Sequence, residues 1–171
     1  MPLTLQLRSL KATTTLTPIR LPDRGRPDLA AEFTLPFTAP DDPFTYLTAS
    51  SRRVYANRSC TYVIKFAGRN RYANQTENEV ALSKYLEENP DDPCADLFTP
   101  LTHYNLRHGF VVQPYIRGTG VCEVELLSRR LRDAGYRTPP GISTFDLHRG
   151  NVYKTPEGYK IIDTGFIRPP A

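Results

Sequence analysis

An α+β fold is what this 171-residue sequence predicts, and three observations predict it. Tyr46-Leu47, Val54-Tyr55 and Thr61-Tyr62-Val63-Ile64 are β-branched and aromatic runs separated by polar turns, the pattern of an antiparallel sheet. Val124, Leu127 and Leu131, spaced by three and four, give residues 121–134 an amphipathic helix that Gly135 ends. The length is that of one domain, and 39% hydrophobic with 23% charged residues suits a folded chain rather than a disordered one.

Residues 1–40 carry Pro2, Pro18, Pro22, Pro27, Pro36 and Pro40, which restrict them to short strands and one helical turn at Asp28 to Phe33. Leu3, Leu5 and Leu7 alternate with polar residues as a strand does. The Thr-rich, acid-free start also resembles a targeting or secretion leader, the less favoured reading. After the Lys65 run, 68–75 is a polar loop, and Thr76 with Glu79 has the form of a capping box opening a helix through Leu86. Val80, Leu82, Tyr85 and Leu86 form its apolar side. Asn89-Pro90 stops that helix. Residues 98–104 and 109–113 read as two strands, followed by the loop Pro114 to Gly118. Asn151-Val152-Tyr153 and Tyr159 to Ile162 form a hairpin turned at Pro156-Glu157-Gly158, which brings Asn151 and Asp163 to neighbouring strand ends.

Several function classes are excluded or disfavoured. The formal charge of +4 suits an anionic ligand, but there is no lysine-rich run interleaved with aromatics, so nucleic-acid binding is not the expected role. No apolar stretch is long enough for a membrane span. Cys60, Cys94 and Cys122 are odd in number and lack His partners at ligand spacing, which disfavours a disulfide framework or a zinc site and favours a reducing compartment.

The chemistry concentrates in Asp146-Leu147-His148-Arg149-Gly150-Asn151, followed by Asp163-Thr164-Gly165. A phosphoryl-transfer site needs a carboxylate to orient the attacking hydroxyl, an amide oxygen and a second carboxylate for Mg²⁺, and a lysine for the nucleotide phosphates. Asp146, Asn151, Asp163 and Lys65 supply these groups. The segment FDLHRGNVYKTPEGYKIIDTGF resembles the catalytic and metal-binding loops of the protein-kinase-like superfamily. Its DLHxGNV form is closest to aminoglycoside phosphotransferases and small atypical kinases.

The resemblance implies a minimal two-lobed kinase-like fold: an N-terminal extension over 1–40, an N-lobe with an antiparallel sheet over 41–113, a hinge at 114–118, and a truncated helical C-lobe over 119–171. It implies ATP and Mg²⁺ as cofactors. Asp146 is then the catalytic carboxylate, Asn151 and Asp163 the metal ligands, and Glu79 the helix acid that pairs with Lys65, with Glu77 as its rival on another face. Gln113 and Tyr115 would meet the adenine, and Ser50 and Ser51 the phosphates, with Arg52 or Arg53 adding charge. His148 is expected to be structural, and His103 and His108 to be surface or loop residues.

Departures from the family pattern shape the expectation further. Thr48 to Tyr55 has no glycine where kinases place several, Thr144-Phe145 replaces the His-Arg or His-Gly pair before the aspartate, and Thr164 replaces the usual aromatic after Asp163. Few residues follow Asp163, which favours a folded protein surface over a small molecule as acceptor. The closest resemblance is to minimal kinases that bacteria or phages use against other proteins, including effector kinases that phosphorylate a host chaperone. The expected activity is a serine/threonine protein kinase, cytoplasmic or secreted into a host cell. Its rivals are an aminoglycoside-like small-molecule phosphotransferase and a pseudokinase binding module.

Overall fold

In the computed structural model, which describes Thr17–Arg20, Glu32–Leu35, Phe44–Thr48 and residues 52–67, 74–121 and 123–171, the β-branched runs pair into antiparallel sheets. The strands are β1 (Thr17–Arg20), β2 (Glu32–Leu35), β3 (Phe44–Thr48), β4 (Arg53–Asn57), β5 (Tyr62–Phe66), β6 (His103–Asn105), β7 (Phe110–Pro114), β8 (Thr119–Gly120), β9 (Val152–Thr155) and β10 (Gly158–Ile161). The helices are α1 (Gln75–Glu88) and α2 (Val124–Asp133). Among the described residues the strands form a five-stranded sheet in the order β3-β4-β5-β7-β6, a three-stranded sheet β10-β9-β8, and the pair β1-β2. The fold is therefore α+β.

Pleating sorts the five-stranded sheet into two faces, because successive side chains on a strand point to opposite sides. Phe44, Tyr55, Ile64, Phe66, Phe110 and Val112 cluster on one face, with Tyr55 and Phe66 in edge-to-face contact at 5.9 Å between ring centroids. The alternate residues Val63, Lys65 and Gln113 take the other face. The registers Val54↔Lys65 and Val63↔Gln113 align them across three strands.

A second apolar cluster joins the two helices to the hairpin: Leu82, Leu97, Leu127, Leu131, Val152, Ile161 and Ile167 are all buried in it, with Phe145 and Leu147 from the loop before the hairpin. Gly135, at φ 86°, closes α2, and the Tyr136 N–H reaches back to the Leu131 carbonyl at 2.9 Å in the manner of a Schellman cap. The Tyr136 hydroxyl then donates to Asp92 Oδ1 at 2.8 Å, tying the end of α2 to the loop after α1.

Several local expectations are corrected. Residue Asn74, not Thr76, precedes α1, and no side chain caps it; Thr76 is a buried helical residue. The Glu79 carboxylate is drawn to Arg52 and Lys65 instead of the helix start, because two buried cations outweigh a neutral N–H as partners. The strand expected over 98–104 shrinks to β6. Ala95–Leu97 is a short 3-10 helix, Phe98 makes only an isolated bridge to Ile161, and Pro100 has no N–H to extend a ladder. The second helix begins at Val124, since the Val121 N–H donates to the Val152 carbonyl at 3.0 Å. Glu32 and Phe33 belong to β2 rather than a helical turn, their backbone paired with Arg20 and Ile19. The Leu3, Leu5 and Leu7 strand lies outside the described residues.

Candidate functional site

Lys65 is carried by the central strand β5, on the face away from the aromatic cluster, and its long side chain is buried. Its ammonium donates to Glu79 Oε1 at 3.2 Å and also to the Ile162 carbonyl. Glu79 is on the inward face of α1 and only 1% exposed. Its other oxygen accepts from Arg52 Nη2 at 2.7 Å, and the Thr164 N–H approaches Oε1 at 3.4 Å. One carboxylate thus links β5, α1, the start of β4 and the Asp163 loop. Burial works to raise its pKa, but the Arg52 and Lys65 charges and hydrogen bonds prevail and hold the carboxyl down at about 2. Glu77 points to solvent.

Asp163 follows the hairpin. Its Oδ1 accepts from the Gly165 N–H at 3.3 Å and meets Arg52 Nη1 at 3.5 Å. The Ile162 N–H donates to the Asn151 carbonyl at 2.9 Å, so the two ends of the hairpin are held side by side. Asn151 Nδ2 donates to the Asp146 carbonyl at 2.9 Å and lies 3.4 Å from its Oδ2, which pins the loop from 146 to 151. Asp146 has φ 55°, a left-handed conformation that aspartate tolerates better than most residues and that turns its carboxylate outward. Its side chain is 45% exposed. Burial of the rest of the group pushes its pKa up, and Asp163 adds to the rise, while His148 and the Asn151 hydrogen bond oppose it.

His148 accepts the Gly150 N–H on Nδ1 at 3.0 Å, with Nε2 4.0 Å from Asp146 Oδ1; it shapes the loop. Gly120 is required beside this loop, because a Cβ there would collide with the Arg149 carbonyl. His103 belongs to edge strand β6 and packs its ring 6.0 Å from that of Phe110, while His108 is exposed. Cys60 and Cys94 are free thiols, and Cys122 lies outside the described residues.

Three of these side chains border one cleft of about 250 Å³, whose lining does not include Asp146, Glu79 or Arg52. Lys65, Asn151 and Asp163 line it together with the apolar Leu47, Val54, Val63 and Ile116. Gln113 and Tyr115 line it too; Gln113 Nε2 donates to the Ile162 carbonyl at 3.1 Å and the Tyr115 N–H to the Thr61 carbonyl at 2.8 Å. Ser50 and Ser51 lie outside the described residues. Among the described residues no group of three or more His, Cys, Asp or Glu is placed to hold a metal ion, and no helix is long and apolar enough to cross a membrane.

The two arginines of the pair part company. Arg53 lies over the Phe66 ring at 5.4 Å, whereas Arg52 is 3% exposed and joins Glu79 to Asp163. Sequence reasoning treated them alike and missed the ion pair. No local pattern separates them, because Arg52 lies in the bend before β4, where strand alternation does not set its direction.

No protein-family model and no curated protein sequence matches the chain. Among solved structures the chain is similar to the Legionella pneumophila Lpg2603 kinase bound to IP6, at 18% identity and a TM-score of 0.45. The match covers 75% of this chain and 51% of that one, so this chain spans about half the length of that kinase.

Proposed function

We propose that this chain is an ATP- and Mg²⁺-dependent phosphotransferase of kinase-like, two-lobed design that modifies serine or threonine hydroxyls on a protein. The observation that supports it most is the convergence of three distant segments on one cleft: Lys65 paired with Glu79 at 3.2 Å, the loop of Asp146 and Asn151, and Asp163. Phosphoryl transfer asks a protein for position and charge more than for covalent chemistry, and these groups supply both.

The apolar cleft walls suit a nucleoside base, and Lys65, held by Glu79, offers a fixed positive charge to its phosphates. The donor set fits Mg²⁺. Asn151 uses its amide N–H₂ on Asp146 and so keeps its oxygen for a hard cation, and Asp163 offers a half-buried carboxylate. Two protein oxygens are what Mg²⁺ uses when waters and phosphates complete its shell. Bound there, the ion would neutralise phosphate charge. Asp146 then orients the acceptor hydroxyl and takes its proton late in a loose transition state. Because its carboxylate is nearly half exposed rather than at the bottom of a closed pocket, a hydroxyl on a protein surface can reach it.

The test is transfer of labelled γ-phosphate from ATP and Mg²⁺ into bacterial and eukaryotic lysates, comparing wild type with Asp146→Ala and followed by phosphoamino-acid analysis. Labelled phosphoserine or phosphothreonine made by wild type and reduced about 10²-fold or more in the variant is the expected result. Equal labelling by both proteins, or none, refutes the proposal.

A further inference from the structure

Glu79 has two cationic partners where one would neutralise it. Lys65 and Arg52 both end on this carboxylate, and Arg52 also reaches Asp163 at 3.5 Å. The arginine is buried, yet among the described residues its Nε has no hydrogen-bond partner. An arginine built solely as a counter-ion would be expected to use its planar fork fully, since buried donors left unpaired are costly.

Its place in the chain suggests what the spare donor is for. Arg52 lies just before β4, whose Val54 pairs with Lys65 and lines the cleft. Its Nη1 reaches Asp163, which lines that cleft, at 3.5 Å. The sequence of 48–55 contains no glycine, the residue that most readily lets a backbone approach a polyphosphate.

We propose that Arg52 is a phosphate-binding residue which replaces backbone contacts of the glycine-free segment, and that without nucleotide it is held in reserve on Asp163. The inference rests on the nucleotide reading above. Two cations, Arg52 and Lys65, balance two carboxylates, Glu79 and Asp163, in the nucleotide-free chain. A divalent ion brought alone to Asp163 would face the Arg52 guanidinium at close range and be repelled. A polyphosphate arriving with the ion reverses this, because the guanidinium exchanges one Asp163 oxygen for phosphate oxygens while keeping Glu79. Arg52 thus makes metal binding conditional on nucleotide.

Calorimetric titration of the full chain with ATP, adenosine, and Mg²⁺ alone distinguishes this from a structural counter-ion. Arg52→Met is expected to weaken ATP about 10- to 100-fold, the worth of a charged hydrogen-bonded contact, to leave adenosine unchanged, and to strengthen Mg²⁺ binding in the absence of nucleotide. Arg52→Lys, which keeps the charge and loses the fork, should move the same quantities in the same directions by less, and decides the matter where the methionine variant does not fold. Wild type binding ATP with both affinities unaltered in the variants, or with ATP, adenosine and Mg²⁺ all weakened together, overturns the inference alone. Wild type binding neither ATP nor adenosine overturns the nucleotide reading as well.

Discussion

Glu79→Gln should remove a pH-dependent part of this protein's stability, and the structure sets its size. In the folded chain the Glu79 carboxyl is held at about 2 instead of its ordinary 4.5, with burial working against the shift and Arg52 and Lys65 producing it. Each unit of such a shift corresponds to about 1.4 kcal/mol. The ionised carboxylate therefore contributes on the order of 3 kcal/mol relative to its protonated form. The sign follows from the lowered folded value: the contribution is complete above pH 4.5, where the unfolded carboxyl is also ionised, and disappears as the pH falls to about 2. In the variant, Arg52 and Lys65 remain buried with one partner fewer, and breaking a buried pair in this way costs about 3–5 kcal/mol. The assay is urea unfolding of wild type and variant at a series of pH values from neutral to about 2, with the difference in unfolding free energy extrapolated to water plotted against pH. Other carboxylates contribute to both proteins, so the difference isolates Glu79. The gap should be largest at neutral pH and narrow below pH 4.5. A gap that stays constant through the acid range, or a variant as stable as wild type at neutral pH, would refute the reasoning.

Two further outcomes follow from the site. Asp163→Asn should raise the Mg²⁺ concentration needed for half-maximal transfer about tenfold or more while leaving adenosine affinity unchanged, as a phosphotransfer titration with parallel binding measurements would show. Gly165→Ala should destabilise the fold by about 1–3 kcal/mol in urea unfolding, because the new Cβ would sit 2.7 Å from the Gln75 Cβ and force α1 and the Asp163 loop apart.

Strand periodicity made β5 and β7 legible, because each carries alternate residues into the aromatic cluster, to which β4 adds Tyr55. Helix α2 was legible for the same reason: Leu127 and Leu131 are one turn apart and both buried. Helix α1 was harder. Its buried face includes Gln75, Thr76, Asn78, Glu79 and Ser83, a polar set that no hydrophobic pattern announces, because this face serves the site as well as the core. The side-chain polar atoms of Gln75 are buried without a hydrogen-bond partner among the described residues, a cost that sequence patterning cannot foresee.

By itself, then, the sequence determined the residue chemistry: a lysine at the end of a strand-forming run, a helix acid fourteen residues later, and a carboxylate, amide and carboxylate set around one hairpin. Those signals are local, carried by side-chain type and spacing. Only the tertiary structure decided which charges neutralise one another. Arg52 and Asp163 are 111 positions apart, and the choice of Arg52 rather than Arg53 as their link depends on which side of the sheet each guanidinium leaves. Ion pairing in a buried place depends on distance and on exclusion of water, and neither exists until α1, the sheet and the hairpin have packed.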